Sequence, residues 1–314
     1  MEKGIEEKTG HLFGQLWPSY DQSLFDESVA IIFQRLAKSG FDLDWFKGKT
    51  ILDAGCGGGR ACIAFSKLGA KEVVGIDLSK EGLVDARQRL QGVKNVILKE
   101  ASIMNIPYGN EMFDMVWCCG VLHHTIDNEK VLDELTRCLR KGGYIYLLVY
   151  ATGGLRWPLI QFLRPVANHV GSVAINKAIK ISGILANKRR VILDDLFVPI
   201  IDLYHLNRLE QMLKKRGFHS VERLGSDCRL DHESDLKSYR KDLESLSKVF
   251  IAGDSQAFGD NRNFFRCGYN AIQSILETIR WFEDAVGRDL ISSMVAMNYV
   301  IGQGNHRVFA KKAN

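Results

Sequence analysis

The stretch Thr50-Ile51-Leu52-Asp53-Ala54-Gly55-Cys56-Gly57-Gly58-Gly59-Arg60 decides how this chain is read. A β-rich run ends at Asp53, four glycines fill five positions, and a helical pattern follows over 61–68. Glycines at such a junction permit positive φ and, lacking Cβ, let a ligand lie directly on the backbone. The helix beyond presents N–H groups to negative or polar ligand atoms. Two readings compete. A dinucleotide fingerprint needs GxGxxG, but the sixth position from Gly55 is Arg60. The pattern DxGxGxG, starting at Asp53, fits at every position. A carboxylate at the strand end suits a ligand with cationic groups and sits poorly beside a pyrophosphate.

Working outward, short apolar runs alternate with helical patterns. Strands are expected at 49–53, 72–76, 96–98, 112–118 and 144–150. Ser79 is a natural N-cap for a helix through Leu90, and Asp127 and Asn128 offer caps for another. That second helix carries the stripe Val131, Leu132, Leu135 and Leu139 and is expected to stop at Gly142-Gly143. Apolar strands alternating with helices mean a parallel sheet covered on both faces. Ahead of it, 23–38 reads as a helix ended by Gly40. After Tyr150 the reading is mainly helical to about 200, with an amphipathic helix at 206–216 and a sixth strand at 219–224. Residues 231–300 are again helical around a loop at 253–263, and 307–310 forms a closing strand.

With 314 residues, 46% apolar and 25% charged, the composition is that of a globular chain rather than a disordered one. The net charge of +5 is too mild to imply nucleic acid by itself. Seven cysteines, an odd number with no CxxC pair, argue against a disulfide framework or zinc site. A reducing, cytoplasmic setting without a metal is the expectation. The opening residues lack an apolar targeting core, and Lys177 and Lys180 interrupt the apolar stretch 170–186, so no transmembrane segment is expected.

Asp77 ends the second strand, beside the glycine turn, at the sheet edge where ligands of open α/β folds sit. Its carboxylate can accept both hydroxyl protons of a ribose. Together with Asp53–Gly59, the runs Gly75-Ile76-Asp77-Leu78-Ser79, Ile106-Pro107 before Phe113-Asp114, Gly120-Val121-Leu122-His123-His124 and Leu139-Arg140-Lys141-Gly142-Gly143 stand in a recognisable order. The chain resembles the class I S-adenosylmethionine-dependent methyltransferases over roughly 48–150, and most of all the small-molecule group that includes ubiquinone and menaquinone methylases. The resemblance implies an α/β, Rossmann-like sheet of seven strands in the order 3-2-1-4-5-7-6, strand 7 antiparallel, with helical insertions forming a cap. It implies S-adenosyl-L-methionine as cofactor and S-adenosyl-L-homocysteine as product. Gly55 and Gly57, with Asp53 and Cys56 among them, would meet the methionine part, Asp77 the ribose and Leu78 the adenine. The family often has Asp after the third strand, bonding the adenine amine; counting back from Pro107 puts Ser102 there, with the backbone of Ile103. Cys118 would line the cofactor cavity.

Methyl transfer from a sulfonium is an in-line displacement, so catalysis rests mostly on holding the acceptor in place. A base is needed only where the acceptor must lose a proton. The candidates are His123, the first choice, and His124, directly after the fourth strand; adjacent positions point apart, so at most one of them faces the pocket, and the plainer reading is a histidine that bonds neighbouring backbone. In the segment 10–21, Phe13, Trp17 and Tyr20 are candidates for a lid over the cofactor, where aromatic faces would stabilise a sulfonium, and His11 for the substrate side. The plainer reading has them anchoring a helix to the core. No proline precedes Cys118 and no Asn/Asp-Pro-Pro-Tyr run occurs, which weighs against nucleobase chemistry.

The expected layout is an N-terminal helical lid (1–47), the cofactor-binding core (48–150), a basic helical insertion (151–205), more core (206–225), a second helical insertion (226–304) and the closing strand (305–314). Arg156, Arg164, Lys177, Lys180, Lys188, Arg189 and Arg190 lie in 151–193 without one acidic residue, and removing them from the net charge leaves −2. They read as a lid for an anionic small molecule, with Arg156 and Trp157 toward substrate, or as a surface for anionic membrane or RNA. A solvated face is the plainer alternative. Ile272, Ile275, Leu276, Ile279 and Phe282 have helical spacing and mark core or a homodimer contact. The functional expectation is methyl transfer to an O, N or C atom of a small molecule. The alternatives are a tRNA methyltransferase and a cofactor-binding protein without catalysis.

Overall fold

A computed structural model describes residues 2–16, 20–184, 186–224 and 236–314. In chain order its main elements are α1 (Glu2–Leu16), α2 (Gln22–Lys38), β1 (Thr50–Ala54), α3 (Arg60–Lys67), β2 (Glu72–Asp77), α4 (Lys80–Arg89), β3 (Val96–Glu100), β4 (Phe113–Cys119), α5 (Asn128–Cys138) and β5 (Leu139–Tyr150). There follow α6 (Arg156–Val170), α7 (Ser172–Ser182), α8 (Ala186–Phe197), α9 (Leu206–Lys214), β6 (Phe218–Arg223), α10 (Leu236–Gly253), α11 (Arg262–Gly287), α12 (Ser293–Val300) and β7 (Asn305–Lys312). They form two compact units. The first holds the described residues through Ala151, those from Pro199 to Leu224, and Asn305–Asn314; the second holds Thr152–Val198 and the described residues from Leu236 to Gly304.

The first unit is built on a seven-stranded sheet in the order β3-β2-β1-β4-β5-β7-β6. β1 to β5 pair in parallel, and β7 runs antiparallel to both neighbours. This is the topology the resemblance implied. Its central strands are near-continuous apolar runs, and because successive side chains point to opposite faces, both faces of the sheet are buried. Ile51, Val73, Met115, Trp117 and Tyr146 meet apolar residues of α2, α3 and α4 on one face. Leu52, Val74, Ile76, Val116, Cys118 and Leu147 meet α5 and α9 on the other. Asp127 caps α5 by accepting the Lys130 N–H, as its position suggested.

One boundary differs from expectation. α5 stops at Cys138, and Leu139 begins β5 instead of closing the helical stripe. The Glu111 and Met112 N–H groups bond the carbonyls of Arg137 and Cys138, and Leu139 pairs with Phe113, so β4 draws the chain into extended form before the glycines are reached. Gly142-Gly143 therefore lies inside β5. In the second unit, the expected loop 253–263 contains a 3-10 turn, Gln256–Asn261, and already opens α11 at Arg262.

The second unit is all-helical and gathers both insertions. Trp157, Ile160 and Leu163 of α6, Phe250 of α10, and Phe265, Ile272, Leu276 and Ile279 of α11 are buried. Its basic residues have work inside it. Arg156 Nη2 bonds Asp195 Oδ1 at 3.1 Å and Oδ2 at 3.2 Å, with its guanidinium 5.0 Å over the Trp157 ring. Arg164 donates to the Asp195 carbonyl at 3.0 Å. Lys177 donates to the Ala257 carbonyl at 3.2 Å, Lys188 pairs with Asp242, and Arg189 bonds Asn176 Oδ1 at 3.0 Å. Asp195, just past the basic run, takes Arg156 on its carboxylate and Arg164 on its carbonyl.

Because Asp195 is buried, Arg156→Gln is expected to lower stability by about 2 kcal/mol, the cost of leaving a buried charge poorly paired. Adding Asp195→Asn should return part of that loss. Urea titration of the three variants against the parent checks it; equal midpoints would show the pair to be idle.

Candidate functional site

β1 and β2 are neighbours, so the turns that follow them meet at the carboxyl edge of the sheet. The N–H groups of Gly55 and Cys56 both donate to the Ile76 carbonyl, at 2.8 and 2.9 Å, swinging the chain off β1 and across the end of β2. Gly55 has φ +85°, and a Cβ there would overlap Val121. Asp77 Oδ2 accepts the Gly57 N–H and Oδ1 the Ser79 N–H, each at 2.8 Å. Burial raises this carboxyl above its ordinary value, against the pull of the Ser79 and Gly57 N–H bonds. Each carboxylate oxygen has a second lone pair, so a half-buried Asp77 retains capacity for two hydroxyl donors. Leu78 is half-buried beside it, and Ser79 caps α4 through the Gly82 N–H at 3.0 Å.

Asp53 has a different place. It is 2% exposed and accepts the Cys62 thiol at 3.3 Å, against the first turn of α3. Burial drives its pKa to about 7. An acidic group against that helix terminus, with Arg60 in the sixth position, does not match the dinucleotide fingerprint. Cys56 and Cys118 are buried as neutral thiols. The Cys62 hydrogen bond lowers Cys56, but burial and the nearby carboxylates Asp77 and Asp53 carry it to about 11. Burial takes Cys118 to about 12, within the apolar layer under α5.

Helix α1 runs along this edge. Ser102, after β3, accepts the Met104 N–H at 3.1 Å and donates to Glu6 Oε1 at 3.4 Å. Ile103 is buried in the core beside it. A Cβ on Gly10 would lie 3.3 Å from Leu78 Cβ, and one on Gly14 would collide with Ser79 Oγ, so two glycines let the helix approach closely. The Phe13 ring sits 5.3 Å from that of His124. His11 is exposed and pairs with Glu81 in the first turn of α4, at 3.6 Å. Tyr20 is buried, and its carbonyl takes a bond from Arg89 at the far end of α4. Trp17 lies outside the described residues. Arg156 and Trp157 belong to the helical unit, the first ion-paired and the second buried.

At the ends of β4 and β5 the two histidines separate in character. His124 Nδ1 is 2.7 Å from the Ile200 carbonyl. A carbonyl only accepts, so Nδ1 carries the hydrogen, and in the neutral ring Nε2 is the basic nitrogen. His123 is fully buried, and neither ring nitrogen has a hydrogen-bond partner among the described residues. Burial, then His124, holds its pKa well below the ordinary imidazole value. Its ring lies 4.0 Å from that of His124 and 3.9 Å from that of Tyr150. The Asp202 N–H bonds the His123 carbonyl at 2.9 Å, and Asn128 Nδ2 bonds Asp202 Oδ2 at 2.6 Å. Ile200, Asp202, Tyr150 and Glu6 were not expected from the sequence; only tertiary contacts connect them to the site.

A family model described as a methyltransferase domain matches residues 52–147. Those residues are a class I methyltransferase domain. Its cofactor is S-adenosylmethionine, and the half-buried Asp77, the glycine turn it braces and the half-buried Leu78 fit that group. Among relatives, 27-O-demethylrifamycin SV methyltransferase of Amycolatopsis mediterranei is 33% identical over 142 residues, 43% of this chain and 51% of its own length. A tRNA U34 carboxymethyltransferase of Campylobacter hominis is 33% identical over 102 residues, 32% of this chain and 36% of its own. The chain thus spans about a third to a half of these relatives. The [4+2]-cyclase SpnF superposes with a TM-score of 0.50 at 16% identity, covering 91% of this chain and 80% of that one, a likeness of fold alone. No helix among the described residues is long and apolar enough to cross a membrane.

Asp53 supplies a pH test of the turn. A carboxyl at about 7 in the folded chain and near 3.8 when unfolded favours folding in its protonated form. That stabilisation is whole below the unfolded value and is lost as pH rises through the folded one. Urea midpoints should therefore fall from about pH 4 to about pH 7 and level off above, and Asp53→Asn should flatten that fall. An unchanged slope in the variant would place the effect elsewhere.

Proposed function

We propose that this chain transfers a methyl group from S-adenosylmethionine to a small-molecule acceptor, with His124 as the base that takes the acceptor's proton. One observation carries the reading: the braced glycine turn and an imidazole of fixed tautomer stand on the same sheet edge. When bound, the cofactor supplies an electrophilic methyl on a sulfonium. The chain's own residues do the rest. The backbone at Gly55 and Gly57 receives the amino-acid end, Asp77 accepts the ribose hydroxyls, and Leu78 flanks the base. Phe13, His124 and Tyr150 put aromatic surface where the acceptor would be held, excluding water and restricting its approach.

The base assignment rests on chemistry rather than on chain position. The bond to the Ile200 carbonyl leaves His124 Nε2 as proton acceptor and stabilises the imidazolium formed. His123, in a fully buried setting, holds a proton poorly and supports its neighbour by packing. A small acceptor is favoured over RNA because Arg156, Arg164, Lys177, Lys188 and Arg189 are engaged within the helical unit. The Amycolatopsis relative, by name a small-molecule methyltransferase, supports the same choice.

Calorimetry with S-adenosylhomocysteine should show binding to the parent and a loss of about tenfold or more in Asp77→Ala, since two charge-assisted hydrogen bonds go. No binding by the parent would sink the reading. Incubation with methyl-labelled cofactor and either a low-molecular-mass cell extract or total tRNA should label the former. His124→Asn should cut that labelling by about a hundredfold while leaving S-adenosylhomocysteine affinity within about twofold. Label in tRNA instead would transfer the case to the RNA reading.

A further inference from the structure

The face that α1 turns to the sheet edge contains one residue out of character. Glu6, Gly10 and Gly14 are spaced four apart and so share a face. The two glycines on that face let the helix backbone close on Leu78 and Ser79. A long carboxylate on the same packed face is otherwise a poor choice, because it sheds water without a matching apolar gain. Glu6 reaches the end of β3, where Ser102 donates its only proton to Glu6 Oε1. The Ser102 oxygen meanwhile accepts the Met104 N–H. The pair therefore offers strong acceptor capacity at the strand end next to Asp77 and Leu78. A carboxylate has four lone-pair sites and accepts only when ionised, so its complement is a donor.

We propose that Glu6, carried by α1, is the carboxylate that receives the exocyclic amine of the cofactor's adenine, with Ser102 orienting it. The inference rests on the cofactor reading above. It follows the order of strands: the turn after β1 takes the amino-acid end, Asp77 at the end of β2 takes the ribose, and the base extends toward β3. There, an amine donating to a carboxylate makes a charge-assisted hydrogen bond, stronger than one to a lone hydroxyl. A base with a carbonyl in the same place meets the carboxylate with its own lone pairs and is rejected. α1 then belongs to the binding site itself, and selectivity for the base is supplied by a segment far from the glycine turn in sequence.

The test is calorimetry with S-adenosylhomocysteine and with S-inosylhomocysteine, which has a carbonyl in place of the amine. The parent should prefer the adenosyl compound by about tenfold or more. Glu6→Gln should weaken adenosyl binding and narrow the preference to about twofold, because an amide can donate to the inosyl carbonyl. Glu6→Ala should lose the preference as well, and adding Ser102→Asp to it should restore much of it, since a carboxylate then arrives from β3 itself. A merely structural Glu6 would not be rescued in this way. If the parent binds S-adenosylhomocysteine and Glu6→Gln and Glu6→Ala keep its full preference, the proposal falls while the cofactor reading stands. If the parent binds neither compound, both fall together.

Discussion

The edge of this sheet depends on the Asp77 carboxylate. Its two oxygens hold the N–H groups of Gly57 and Ser79, one on each of the two turns that leave β1 and β2. One side chain thus fixes the spacing between a glycine turn and the start of α4, with lone pairs to spare for a ligand. Burial works against its charge, and the two N–H bonds are what keep the ionised form serviceable. Asp53, only two residues before Gly55, is buried against the first turn of α3, where bonds from Cys62 offset burial only in part, and its pKa rises to about 7. Two carboxyls on adjacent strands therefore serve opposite ends: one braces the site, and the other sits beneath it against α3.

Much of the core was legible because its signals are local. The apolar runs in Ile51–Ala54 and Glu72–Asp77, the cap at Ser79 and the glycine turn each work within a few residues, and the structure has them where they were expected. The end of α5 was misjudged because Leu139 has helical spacing to Leu135, whereas β4 competes for the same backbone through Arg137 and Cys138. Pairing across the sheet prevailed over periodicity. The candidate site was legible in its glycine turn, Asp77, Leu78, Ser102, Phe13 and the histidine pair. Ile200 and Glu6 reach it from 76 and 96 residues away in the chain, and no spacing rule reports such contacts.

The basic insertion shows how composition misleads when its window is drawn short. Counted from 151 to 193, it is seven positive charges without a negative one. Just past it stands Asp195, and across the helical unit stands Asp242; they pair with Arg156 and Lys188, while Arg164, Lys177 and Arg189 bond carbonyl and amide oxygens. Charge on a helix is informative only after its neighbours in space are known. The same holds for Trp157, whose ring lies under Arg156 and is buried by its own unit.

Helix α1 has three glycines, Gly4, Gly10 and Gly14, among its 15 residues. Each disfavours an isolated helix by about 1 kcal/mol relative to alanine, and a segment of this length is marginal in water even with good formers. Its helical form is therefore borrowed from what it rests on. Two of the glycines that weaken it alone, Gly10 and Gly14, are those that let it lie against Leu78 and Ser79, so its coil-to-helix balance is set at the sheet edge and not in its own sequence. Docking and folding of α1 are one event.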